Sequence, residues 1–240
     1  MILTNGIAML HLGRLMTLLL LMTGTPLLAQ NHPVVVEMYT SQGCSSCPPA
    51  DAFFDQHLAE RDDVIALALH VDYWDYIGWK DEFASPDYTK RQKAYARVAG
   101  HRSVYTPQMI VGGVDHVVGT HPEEVNSLVR KHQSLASQVE FSIERKGNKL
   151  HIHAKGGAVS DEMEVHLVRY RPSEEVAIRR GENAGKSVRY ANIVDSWDSI
   201  VMWNGRKDLN VTAPVRGKAP VVAILQVEGY GPILAAARLR

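Results

Sequence analysis

Two cysteines, Cys44 and Cys47, stand three positions apart with Ser45 and Ser46 between them, and the chain of 240 residues has no others. A C-x-x-C turn is a known setting for thiol–disulfide exchange, metal ligation and haem attachment. Haem attachment needs a histidine directly after the second cysteine, and Pro48 occupies that position. Zinc needs two more ligands, and His70, His101 and His121 stand at no zinc-site spacing from the pair, so no metal site is assigned. Two soft thiolates do suit Cu(I), which keeps a copper(I) metallochaperone open. An inert clip is also open, because closing so short a loop adds little stability and exported proteins carry many plain disulfides.

The residues around the pair specify how it is held. Val34 to Tyr39 is β-branched and apolar and ends in the polar turn Thr40-Ser41-Gln42-Gly43, a strand followed by a loop. Beyond Pro48 and Pro49, Ala50, Phe53, Phe54 and Leu58 are spaced as one face of a helix. The cysteines therefore open a helix, where backbone N–H groups and the positive end of the dipole favour a thiolate on the first sulfur. Cys44 is expected to attack and Cys47 to resolve.

Val64 to Val71 reads as a second strand, and Ser85 to Val98 as a helix with Ser85 as cap and Pro86 in its first turn. Pro107 precedes a hairpin formed by Gln108 to Val111, the turn Gly112-Gly113 and His116 to Gly119; a helix follows over Glu123 to Ala136. Loops at the carboxyl ends of parallel strands share one rim, which puts Tyr73, Trp74 and Trp79 near Cys44 as a partner-binding lip. The competing reading has these aromatics packed under a long insertion. His57, His116, His132, His151 and His153 read as surface positions, and Arg180 to Asn183 as a turn.

From Val139 the period changes to two: Val139, Phe141 and Ile143 alternate with polar residues, as do Leu150, Ile152 and Ala154. Further strand-like runs at 164–170, 175–179, 188–194, 221–227 and 233–239 suggest a smaller β-rich domain of sandwich type over 139–240. The expected organisation is a signal peptide over 1–29, an α/β domain with a central mixed sheet flanked by helices over 30–138, and that β domain.

Residues 1–29 carry the leader pattern: Arg14, the apolar run Leu15 to Met22, the break Gly24-Thr25-Pro26 and the small residue Ala29. The run is shorter than the roughly 20 residues a spanning helix needs, so no stable membrane anchor is expected after processing. A periplasmic or secreted location follows, where a close cysteine pair tends to be oxidised. Lys plus Arg and Asp plus Glu number 26 each, which gives no basic surface for nucleic acid.

The order of strand, Cys44-Ser-Ser-Cys47, helix, strand, helix, Thr106-Pro107, hairpin and helix resembles the thioredoxin fold over 34–137. More narrowly, Glu37 to Asp51 (EMYTSQGCSSCPPAD) together with Arg180-Gly181-Glu182-Asn183 resembles domain-of-unknown-function family 1223, a family of exported bacterial proteins. The thioredoxin resemblance implies an exposed Cys44 nucleophile, a buried Cys47, a cis Pro107 facing them, and Thr106 offering backbone hydrogen bonds to a bound partner. It also implies a buried acid beneath the disulfide, for which Glu37 is the nearest match, an edge salt bridge being the other reading of that residue. The implied activity is thiol–disulfide exchange with a protein partner and without a cofactor; the alternatives are the copper(I) metallochaperone and a non-catalytic binding module with a structural disulfide.

Overall fold

The computed structural model describes residues 32–135 and 139–240; the expected leader and the boundary at Gln138 lie outside them. Strand β1 (Val34–Thr40) and strand β2 (Val64–His70) are buried at every position. They pair in parallel from Val34↔Val64 to Thr40↔His70. Runs that are apolar on both faces suit such a place, because a parallel pair is covered by helices on each side. Helix α1 (Pro48–His57) begins with two prolines, which have no N–H to leave unpaired. Helix α2 (Pro86–Val98) is capped by Ser85, whose hydroxyl accepts from the Asp87 N–H at 3.2 Å.

Strands β3 (Gln108–Val111) and β4 (Asp115–Val118) form the expected hairpin, with β3 antiparallel to β1, and helix α3 (Pro122–Ser134) follows. The first four strands are therefore ordered β2-β1-β3-β4. Helices α1 and α3 share one core with Val36, Met38, Ala66, Ala68, Met109 and Val111. On the opposite face, Tyr88 and Tyr95 of α2 pack with Val35, Tyr39, Ile65, Leu67 and Leu69.

The carboxyl-terminal strands join this sheet where the expectation drew a separate domain. Strands β7 (Met163–Ala177), β8 (Ser187–Trp203), β10 (Val221–Val227) and β11 (Ile233–Leu239) extend it to eight strands in the order β11-β10-β7-β8-β2-β1-β3-β4. The junction is parallel pairing of β2 with β8 at Ala68↔Ile193. An apolar β2 with an unpaired edge would expose a row of backbone donors and acceptors, and β8 covers that edge. Strands β5 (Phe141–Lys146), β6 (Lys149–Ala154) and β9 (Leu209–Pro214) make a separate antiparallel sheet. Its Phe141, Leu150, Ile152 and Ala154 share a core with Val165, Leu167, Ala223 and Leu225 of the large sheet. The sandwich-like packing expected for this half is thus built between the small sheet and an extension of the large one.

Candidate functional site around Cys44 and Cys47

Cys44 and Cys47 are joined by a disulfide, with their Cα atoms 5.4 Å apart. Cys47 is the N-cap of α1. The expected fan of helix N–H groups aimed at the Cys44 sulfur is not formed. Pro48 and Pro49 have none to offer, the Cys47 N–H donates to the Cys44 carbonyl at 3.2 Å, and those of Ala50 and Asp51 donate to the Cys47 carbonyl. The Ser46 hydroxyl donates its hydrogen to the Thr106 carbonyl at 3.3 Å and lies 3.4 Å from Cys44 Sγ. Ser46 therefore ties the disulfide to the residue before Pro107, and the Thr106–Pro107 bond is cis.

Both cysteines are buried, Cys44 at 3% exposure and Cys47 at 0%, whereas the resemblance implied an exposed Cys44. The cause is crowding of the 41–46 loop by distant segments. A Cβ at Gly43 would lie 3.2 Å from the Trp74 carbonyl oxygen and 3.3 Å from Trp74 Cβ, so glycine lets the segment after β2 rest on the loop. Gln42 donates its backbone N–H to Asp81 Oδ2 at 2.8 Å and accepts from Trp79 Nε1 at 2.7 Å. The Asn183 side chain donates to the carbonyls of Gln42 and Cys44, both at 2.9 Å.

The aromatic residues flank this arrangement. Trp74 Nε1 donates to Thr106 Oγ1 at 2.7 Å, and the Tyr73 hydroxyl donates to Gln92, which in turn holds the Tyr105 carbonyl. Tyr76, on a short 3₁₀ turn, is 79% exposed and stacks on Trp74. Tyr73, Trp74 and Trp79 each donate a hydrogen bond, as packed residues do, and Trp74 also supports the exposed ring of Tyr76.

Glu37 does not lie beneath the disulfide. Strand alternation turns it with Val35 and Tyr39 toward α2, the face opposite α1. There it binds Arg91 at 2.7 and 2.8 Å and accepts from the hydroxyls of Tyr39 and Tyr95. Burial raises its pKa, but the Arg91 charge and these hydrogen bonds outweigh burial and hold the carboxyl below its ordinary value.

The buried acid on the cysteine side is Asp51, one turn after Cys47 in α1 and 2% exposed. Thr40 donates to its Oδ1 at 2.7 Å, and Oδ2 has no hydrogen-bond partner. Burial pushes its pKa up to about 7, against the opposing pull of the Thr40 bond and of His70. A signal for it existed in the sequence: Cys47, Ala50, Asp51, Phe54 and Leu58 follow helical spacing, which sets one acid in an apolar stripe.

A second buried group adjoins it. His70, the register partner of Thr40, lies 2.7 Å through Nδ1 from Asp81 Oδ2, and both side chains are fully buried. Burial raises the Asp81 pKa, yet the His70 charge and hydrogen bonds from His70, Gln42 and Phe83 bring it below the usual carboxylate value. Among the described residues no group of three or more His, Cys, Asp or Glu side chains converges to hold a metal ion.

Among curated proteins none matches the chain. Among solved structures, a protein of Agrobacterium tumefaciens matches with 31% identity and a TM-score of 0.75, covering 88% of this chain and 96% of its own. HBP35 of Porphyromonas gingivalis matches with 15% identity and a TM-score of 0.60, covering 87% of this chain and 75% of its own, a likeness of fold alone. The family profile described as protein of unknown function DUF1223 matches residues 35–226, and the chain belongs to that family.

Proposed function

We propose that this protein is an exported thioredoxin-like thiol–disulfide oxidoreductase that exchanges disulfides with a protein partner through Cys44 and Cys47. The observation that carries the reading is a disulfide at the N-cap of α1 with the buried Asp51 one turn into the helix, its pKa raised by that burial. The order β2-β1-β3-β4, with β1 and β2 parallel, and the cis Pro107 reached through Ser46 support the thioredoxin-like part of the reading. Leader-like residues 1–29 support export to the periplasm or medium.

In the exchange, a partner thiolate sulfur bonds to Cys44 Sγ, the Cys44–Cys47 bond breaks, and the electron pair leaves on Cys47 Sγ. Asp51 supplies the proton that Cys47 then takes up. In the second half, Cys47 returns its proton to Asp51 and attacks Cys44 Sγ as the thiolate, or a second partner thiol loses its proton to water and attacks the partner sulfur, leaving Cys44 as a thiolate that water protonates. The first returns the partner thiol; the second releases an oxidised partner and leaves both cysteines reduced.

Trapping tests the reading directly. Cys47→Ser should accumulate a mixed disulfide between Cys44 and a partner on non-reducing gels, and Cys44→Ser should not. If neither the wild-type protein nor Cys47→Ser exchanges with a reduced or oxidised protein substrate, the oxidoreductase reading fails. Stoichiometric Cu(I) uptake by the reduced form would then favour a metallochaperone.

A further inference from the structure

The tip of the β7–β8 hairpin, residues 178–186, holds none of the reacting groups, yet it lies against the cysteine loop. Its Asn183 is 1% exposed and far from Cys44 in sequence, and its Nδ2 uses both hydrogens on carbonyls of that loop, one of Gln42 and one of Cys44. Its Oδ1 accepts from Lys186 Nζ at 2.8 Å, which sets which way the amide faces. Gly181 has φ of +74°, and a Cβ there would lie 3.2 Å from Trp79 Cβ, so the tip also rests on the segment that covers the loop.

We infer that Asn183 is a positioning residue that clamps the Cys44 peptide and keeps the disulfide covered, so that the hairpin tip sets how readily Cys44 is attacked. The inference rests on the reading of Cys44 and Cys47 as the reacting pair. A thiolate must approach Cys44 Sγ opposite Cys47 along the S–S axis, and a Cys44 that is only 3% exposed leaves little surface for that approach unless the loop shifts. The loop is pinned at Gln42 N by Asp81, at Gly43 N by Ser41 Oγ, and at the Gln42 side chain by Trp79. Asn183 adds a pin on the Cys44 carbonyl itself, and its bonds must open for the peptide to move.

The same molecule contains a chemically matched control. Asn192 of β8 donates its Nδ2 to the carbonyls of Ala59 and Ala66 at 3.2 and 3.0 Å, and neither belongs to the cysteine loop. The experiment measures the rate at which dithiothreitol reduces the disulfide in the processed protein. Its thiolate bonds to Cys44 Sγ and displaces Cys47. Its second thiol then closes the oxidised ring and releases Cys44, so two electrons pass to the protein.

Asn183→Ala is expected to raise this rate about tenfold, the effect of losing a hydrogen bond that the closed state alone makes. Asn192→Gly, which keeps the positive φ of 46° accessible, should leave the rate within about twofold. Lys186→Met, a substitution at an exposed position, should accelerate reduction about threefold by freeing the Asn183 amide, and it provides the test if Asn183→Ala does not fold. A wild-type rate in both folded Asn183→Ala and Lys186→Met overturns the clamp, as does equal acceleration by Asn183→Ala and Asn192→Gly. These rates need no partner protein, so the clamp is judged separately from the oxidoreductase reading, which falls on the trapping result alone.

Discussion

Asp51 accepts a 2.7 Å hydrogen bond from Thr40, and this is the hydrogen bond its carboxylate receives in a fully buried position beside the cysteine helix start. Its pKa is about 7 in the folded protein against an ordinary 3.8. Between those values the folded protein holds a proton that the unfolded chain has released. The contribution of Asp51 to stability is therefore full at and below pH 4, falls as pH rises toward 7, and levels off above it. The gap corresponds to roughly 4 kcal/mol. Asp51→Asn should abolish this decline and be the more stable protein at pH 8, as read by urea unfolding of the oxidised form at pH 4.5 and pH 8. An unchanged decline in the variant would remove Asp51 as its source.

The same proton has a kinetic signature. After correction for the thiolate fraction of the reductant, the reduction rate of the wild-type disulfide should fall as Asp51 ionises near pH 7. Asp51→Asn should lose that inflection and be slower at pH 6 by about tenfold or more, the lower range for a missing general acid. Stopped-flow reduction across pH 5 to 9 reads both. A variant that keeps the wild-type profile assigns the proton to another group.

Glu37 is predicted to matter for stability and not for exchange. Glu37→Gln leaves Arg91 buried without its carboxylate and should cost about 3–5 kcal/mol in denaturant unfolding. The reduction rate of the folded variant should equal that of the wild type. A rate change larger than a few-fold would return Glu37 to the site.

Trp74→Phe removes the N–H donated to Thr106 Oγ1 while keeping a ring beneath Tyr76. A loss of about 1 kcal/mol in stability is expected. Mixed-disulfide formation between Cys47→Ser and an unfolded cysteine peptide should slow several-fold when Trp74→Phe is added, with dithiothreitol reduction little changed. Equal slowing with both reductants would make Trp74 a brace for the disulfide and not part of a partner surface.

Local pattern alone made much of the fold legible. A β-branched run, a proline-opened helix with apolar residues three and four apart, and a glycine turn between two short strands are each decided within about ten residues. For that reason β1, α1, β2, α2 and the β3–β4 hairpin stand close to where periodicity puts them. The cysteine pair was legible for the same reason, since its spacing is itself local. Strands β7 and β8 are legible only in fragments, because Arg171-Pro172-Ser173-Glu174 breaks the apolar pattern of β7 and the register shifts leave Asp195 and Ile200 as extra residues in β8.

By itself the sequence determined most of the elements and the place of the cysteine pair at a helix start; the buried acid was only what the thioredoxin resemblance implied. Tertiary structure decided which carboxylate is buried on the α1 side of the sheet. A strand turns successive side chains to opposite faces, so the pairing of β1 sends Glu37 to Arg91 across the sheet and leaves the α1 side to Asp51. It also decided that the later strands extend the same sheet, because a free β2 edge looks alike in sequence whether β8 or solvent meets it. The contact between Asn183 and Cys44 has no local signature at all. Two residues so far apart meet only once β7 and β8 have joined the sheet and carried their tip to the cysteine loop.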